Sequence, residues 1–124
     1  MKSLFALAAL ATLTVGPAYA GCLYPPPPEK IPDGRTATRD EMIAAQKEIK
    51  AYDTAINAYL ACIDLERDDS IAKAGEKLTK EQKDDLERVH TQKHNAAVEK
   101  LQDIADRFNE QVRVYNGKDK DKKG

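Results

Sequence analysis

Two cysteines, Cys22 and Cys62, are the residues with the clearest chemistry, and they are the only cysteines in the sequence. In an oxidising compartment such a pair forms a disulfide more often than it stays as two free thiols. We therefore expect a Cys22–Cys62 bond. The alternative is acylation of Cys22, which would make the chain a lipid-anchored envelope spacer and leave Cys62 unpaired. Tyr19 stands where lipoprotein signals usually carry Leu, which favours the disulfide.

Residues 1–20 have the layout of an export signal. Lys2 supplies the positive charge, an apolar run extends from Leu4 to Val15, and Ala18 and Ala20 are the small residues that a signal peptidase reads. The run is too short for a permanent transmembrane helix, which needs about 20 residues, and no second apolar segment follows. The sequence therefore predicts a periplasmic or secreted protein with no membrane span.

His90 and His94 are the other residues whose spacing could support chemistry. Four positions apart, they share one face of a helix and could hold a metal ion, with Glu87 as the nearest third ligand. Two histidines are too few for a tight site, so weak and unselective metal binding is an alternative function rather than the leading one. We expect no cofactor and no resident metal.

Catalytic motifs are not recognisable in the sequence. It has no His-x-Glu zinc motif, Gly-rich phosphate loop or nucleophile elbow. Its carboxylates lie four positions from lysines on helix faces, as solvated ion pairs do. We therefore expect a protein that is not an enzyme.

The composition narrows the class of protein further. The chain has 124 residues, with 20 Lys and Arg against 21 Asp and Glu. Removal of residues 1–20 leaves 104 residues with a net charge of −2, enough for one small domain. Charges of both signs are interleaved, as on solvated helix faces, and no basic excess indicates nucleic-acid binding. There is no Trp, so the core must come mainly from Ala, Ile, Leu, Val and Tyr.

Residues 21–38 are predicted to form an extended, proline-rich arm. Consecutive prolines fix the backbone in polyproline II geometry and cannot donate hydrogen bonds to a helix. Pro32-Asp33-Gly34 predicts a turn in which the glycine is free to adopt a positive φ. We expect the arm to double back, so that Leu23, Tyr24 and Ile31 press into a groove between helices.

The first helix is predicted over residues 39–74. Thr38 and Glu41 form a capping box, and Gly75 is a natural stop. A break near Asp68-Asp69-Ser70 is the alternative. The apolar positions repeat at alternating steps of three and four, which predicts a heptad seam. They are Met42, Ala45, Ile49, Tyr52, Ala55, Ile56, Tyr59 and Ile63.

The second helix is predicted over residues 80–115, from a capping box of Thr79 with Gln82. Asn116-Gly117 is predicted to end it, and residues 116–124 are expected to be a disordered charged tail. Its apolar seam is Leu86, Val89, His90, Ala97, Leu101, Ile104, Ala105, Phe108, Val112 and Tyr115.

Two such helices joined by a short turn predict an all-α fold: an antiparallel, coiled-coil-like helical hairpin over residues 39–115. Folding about residue 77 pairs position i with roughly position 154 minus i. Tyr52 then faces Leu101, and Tyr59 faces Ala96.

Four segments, IPDGRTAT, EMIAAQKEIKAYD, YLAC and NAAVEKLQDIADRFNEQVRVY, resemble a group of small exported proteobacterial proteins of unknown function. In that group a cysteine follows the signal, a Pro-rich stretch leads to an IPDG turn, and a helix carries the second cysteine. The resemblance covers most of residues 22–115. It implies the architecture and the envelope compartment, and it carries no activity.

The apolar stripe on the second helix is wider than one partner helix would cover, since it includes Val98 and Val112. We therefore expect a non-catalytic envelope protein that presents a helical surface. It would bind another protein, self-associate or act as a chaperone-like factor. If the arm covers the excess stripe, the chain is a monomer; if not, two hairpins can pair into a four-helix bundle.

Overall fold

The structure, a computed structural model, describes residues 21–121. Helix α1 is Arg39–Ala74, helix α2 is Lys80–Asp121, and a 3₁₀ turn over Gly75–Lys77 joins them. The two helices pack against each other, and the described part of the chain contains no strand. The predicted all-α helical hairpin is confirmed. The predictions for residues 1–20 and 122–124 lie outside the described residues.

Helix α1 covers the residues predicted for it. At its start, Thr38 Oγ1 accepts from the Glu41 amide at 3.2 Å, and Glu41 Oε2 accepts from the Thr38 amide at 2.8 Å. No break occurs near Ser70, whose hydroxyl donates to the Glu66 carbonyl within the continuous helix. At the end, Gly75 has a φ of 51°, which few other residues adopt without strain.

Helix α2 begins at its predicted capping box, but its predicted end is wrong. The helix passes Asn116-Gly117 and continues to Asp121, so most of the predicted tail is helical. A glycine inside a helix costs about 1 kcal/mol relative to Ala. A contact with the arm helps to offset that cost, since Lys118 Nζ donates to the Ala37 carbonyl at 2.8 Å. Lys118 Nζ also lies 4.5 Å from the centre of the Tyr115 ring in the same helix.

The core follows the two predicted seams. Its buried residues form two neighbouring clusters, and all of them except Ala37, at the base of the arm, occupy predicted seam positions. The first cluster is Tyr52, Ile56, Tyr59, Ile63, Ala97 and Ile104, and the second is Ala37, Met42, Ala45 and Phe108. The core therefore occupies the half of the hairpin opposite the α1–α2 turn.

Neither α1 nor α2 contains a stretch with the length and the hydropathy that crossing a bilayer requires.

Candidate functional site

The predicted Cys22–Cys62 disulfide is present and anchors the start of the arm to α1. The two Cα atoms are 5.8 Å apart, and the bond joins cysteines 40 positions apart in the sequence. Closure of the loop between them stabilises a fold by about 4 kcal/mol in the chain-entropy model. A structural disulfide of this kind is typical of proteins in oxidising compartments. Acylation would need the same sulfur of Cys22 that bonds to Cys62.

Burial along the arm repeats every three residues. Cys22, Pro25, Pro28 and Ile31 are partly buried, and both residues between successive members are exposed. Polyproline II has three residues per turn, so this period gives the arm one inward face. Ile31, at the end of that face, contacts both core clusters. The inward face therefore acts as a third packing element beside the helices.

The expected burial of Leu23 is wrong, since 84% of its surface is exposed. The period of three explains the error: with Cys22 bonded to α1, position 23 lies on an outer face. Tyr24 is half-buried. Its ring packs edge-to-face on Tyr59 with centroids 5.1 Å apart, and its hydroxyl lies 3.3 Å from that of Tyr52.

The tyrosines beside the disulfide are held neutral. Burial, and then the hydrogen bond with Tyr24, raise the pKa of Tyr52. Burial also raises the pKa of Tyr59. Both phenols therefore stay protonated to a higher pH than an exposed tyrosine does, and their rings pack the start of the arm against α1.

The predicted turn near the end of the arm forms around Asp33. Its carbonyl accepts from the amides of Thr36 at 3.1 Å and Ala37 at 2.8 Å. Its carboxylate accepts from the Arg35 amide at 2.9 Å, and this hydrogen bond lowers the pKa of Asp33. The turn directs the chain into the Thr38 cap of α1.

Gly34 is required at this turn for a reason other than the predicted one. Within residues 21–121 only Gly75 has a positive φ, so Gly34 does not use that freedom. Instead, a Cβ at position 34 would lie 2.1 Å from the Gln111 carbonyl oxygen and 2.8 Å from the Tyr115 nitrogen. The Gly34 amide donates to Gln111 Oε1 at 2.8 Å. The glycine therefore lets the turn pack directly on the α2 backbone.

His90 joins the two helices near their turn. Its Nε2 lies 2.6 Å from Asp64 Oδ1, and its Nδ1 lies 3.2 Å from Arg67 Nη1. A guanidinium can only donate, so Nδ1 must accept and Nε2–H must donate to Asp64. In this arrangement both ring nitrogens of His90 have a partner on α1.

The histidine pair does not fit a metal site as it stands. A metal on His90 would have to displace Asp64 or Arg67, and the expected third ligand, Glu87, lies 3.7 Å from Arg67. The ring of His94 is 6.1 Å from that of His90 between centroids. Over the described residues, no three His, Cys, Asp or Glu side chains are grouped to hold an ion.

The arm leaves part of the apolar seam open. A cleft of about 200 Å³ between α1 and α2 has no arm residue in its lining. Its floor contains the buried Met42 and Phe108, and Ile43 on its rim is 39% exposed. Val112, which made the stripe on α2 look wide, also lines it. The lining residues are Arg39, Met42, Ile43, Gln46, Phe108, Val112 and Tyr115.

Sequence reasoning missed three contacts of this region: Gly34 with Gln111, Lys118 with Ala37, and Asp64 with His90. The first two have no local signal. The contact of Asp64 with His90 could have been predicted, because folding the chain about residue 77 pairs position 64 with position 90.

No family model, curated protein sequence or solved structure matches this chain. Its function is therefore inferred from the residues described above.

Proposed function

We propose that this chain is an exported, non-catalytic protein that binds a helix of another protein, or of a second copy, in the cleft that the arm leaves open. The observation that carries the proposal is the exposure of Ile43 beside Met42, Phe108 and Val112. An amphipathic helix binds such a groove by inserting apolar side chains at successive turns.

Three features support export to the periplasm or the medium. The disulfide requires oxidising conditions to persist. Residues 1–20 have the pattern of an export signal. The resemblance to small exported proteobacterial proteins points to the same compartment.

Self-association is the simplest form of the proposal. Two copies that pair through the same cleft would form an isologous contact and a four-helix bundle. Light scattering across micromolar concentrations measures this directly. A monomer at every concentration removes the self-associating form and leaves the form with a different partner.

Photo-crosslinking in the native host tests both forms. A photoreactive benzoylphenylalanine replaces Ile43 in the full-length chain, and the matched control places it at Leu65, which is 70% exposed on α1 and does not line this cleft. We expect an adduct from position 43 and none from position 65. Introduction of Val112→Lys should abolish the adduct, since a charge would enter the cleft. Equal adducts from both positions, or none from position 43, would contradict the proposal.

Two alternatives have direct tests of their own. Zinc or copper binding through His90 and His94 would raise the melting temperature as the metal is titrated. A lipid anchor on Cys22 would add acyl mass to the intact protein. A chain that begins at Gly21 and lacks two hydrogens would instead support soluble export with the disulfide formed.

A further inference from the structure

The outward side of the arm consists of two faces that each carry two apolar residues followed by one charged residue. With Cys22, Pro25, Pro28 and Ile31 directed inward, one outer face carries Leu23, Pro26 and Glu29, and the other carries Tyr24, Pro27 and Lys30. All six residues are at least partly exposed; Tyr24 keeps 45% of its surface exposed while its ring packs on Tyr59. Leu23 has the largest exposed fraction of any large apolar residue that the structure describes. Apolar exposure next to exposed proline rings is a common sign of an interaction surface.

The backbone of the arm is also free to bond to a partner. None of the hydrogen bonds within the described chain uses a backbone group of residues 22–32. Prolines lack an amide donor, and their carbonyls remain strong acceptors. Domains that recognise polyproline II pack aromatic side chains against such proline rings. Tyrosine hydroxyls and tryptophan ring nitrogens can donate to such carbonyls.

The arm is fixed to the rest of the protein at both ends, so its conformation is already set before a partner binds. Cys22 is bonded to α1 at one end, and Ile31 is packed into both core clusters at the other. Four consecutive prolines between them fix φ. Binding to such a segment avoids most of the entropy loss that ordering a free peptide would cost.

We propose that the outer faces of residues 23–30 form a docking surface for a partner protein with a polyproline-binding groove lined by aromatic side chains, with Leu23 as the apolar anchor. The proposal rests on the proposed function, in that the chain is a binding protein, but it uses a different surface from the open cleft. Glu29 and Lys30 place opposite charges at the same end of the two faces, so complementary charges in the groove would fix the direction of binding.

Photo-crosslinking from the arm tests the inference. Benzoylphenylalanine replaces Leu23 in the full-length chain in its native host, again with position 65 as the control. We expect an adduct from position 23 whose attachment site on the partner lies among aromatic residues, as located by mass spectrometry. The double variant Pro26→Ala, Pro27→Ala should lower the adduct yield roughly tenfold, because it removes both proline rings that an aromatic groove would contact.

The double variant leaves the inward prolines and the disulfide in place, and circular dichroism and intact mass check that it is folded and oxidised. An unchanged yield in that variant, no adduct from position 23, an adduct with a second copy, or an attachment site without aromatic residues would each overturn the inference. An adduct from position 43 but not 23 would overturn only this inference. The reverse pattern would overturn only the open-cleft proposal.

Discussion

The two halves of the hairpin differ in what holds their helices together. The half covered by the arm, residues 39–63 of α1 and 97–121 of α2, contains every buried helical residue of the described chain. The half next to the turn, residues 64–96, contains no buried residue. There, the contacts between helices include Asp64 with His90, and Arg67 with Glu87.

The difference shows that the arm sets the extent of the core. A helix with a single neighbour leaves its apolar seam open on two sides, so a pair of helices buries little surface. Burial on α1 ends at Ile63, one residue beyond Cys62, where the arm begins. The core therefore extends as far as three segments lie side by side.

Removal of the disulfide should change the stability of the half covered by the arm more than any of the substitutions that follow. We expect Cys22→Ser with Cys62→Ser to lower the free energy of unfolding by about 4 kcal/mol, because the unfolded chain regains the entropy that the bond across 40 positions had removed. Urea unfolding measures the loss. Amide exchange should accelerate in residues 39–63 and stay unchanged in residues 64–74. A reduced wild-type protein with the same unfolding midpoint as the oxidised one would refute the central role of the arm.

Truncation of one isoleucine in each half compares their packing directly. Ile56 is fully buried at 0% exposure, so Ile56→Ala should cost about 3 kcal/mol in the free energy of unfolding. Ile71 is only partly buried, and we expect Ile71→Ala to cost less than about 1 kcal/mol. Equal losses in urea unfolding would show that the two halves are packed alike.

Substitutions at two glycines test the contact between α2 and the turn at Asp33-Gly34 in the arm. Gly34→Ala should destabilise the protein by about 2 kcal/mol, because the new methyl group would overlap backbone atoms of Gln111 and Tyr115. Gly117→Ala is the control: it lies in α2 with open space around it, and it should stabilise the helix by about 0.5 kcal/mol. Thermal melts of the two variants should shift in opposite directions, and a shift in the same direction would contradict the assigned role of Gly34.

The buried tyrosines predict a loss of stability in alkali. Because the pKa of Tyr52 is raised in the folded state above the ordinary tyrosine value of 10.0, the unfolded state ionises first as the pH rises. Stability should therefore be constant with respect to this group below pH 10 and fall above it. Urea midpoints across that range, with Tyr52→Phe for comparison, measure the effect. A variant with the same alkaline loss as the wild type would assign that loss to other groups.

The polar contacts near the turn should contribute least. Asp64→Asn weakens the contact with His90 across the helices, but the Asp64 side chain is 51% exposed, so we expect a cost of about 0.5 kcal/mol that shrinks in salt. Asp84→Asn is the control, since Asp84 pairs with Lys80 inside α2. A loss of more than about 2 kcal/mol in the free energy of unfolding for Asp64→Asn would contradict the comparison. It would mean that contacts in residues 64–96 stabilise the protein as much as those in the half covered by the arm.

The sequence predicts the local features of this fold well. The capping boxes at Thr38 and Thr79 depend on neighbours three positions away, and both are confirmed. The spacing of the seams predicts the buried residues of the half covered by the arm, whereas Leu86, Val89 and His90 of the predicted α2 seam are not buried. The end of α2 was predicted wrongly because Gly117 is a local stop signal. A contact of Lys118 with Ala37, 81 positions away, overrides it.

Features of the candidate site depend on distant contacts in the same way. Gly34 approaches Gln111, 77 positions away, and no local pattern indicates that approach. The spacing of His90 and His94 indicates a metal site when α2 is considered alone. Only the position of Asp64 and Arg67 on the other helix shows that both nitrogens of His90 are already bonded.

The disulfide makes a covalent circle of the arm and most of α1, and α2 stands outside that circle. A single proteolytic nick in the connection at Gly75–Lys77 would therefore leave a closed loop of chain and a separate helical peptide with no bond between them. The two fragments would then be joined only by noncovalent contacts. Their dissociation constant could be measured by diluting the nicked protein.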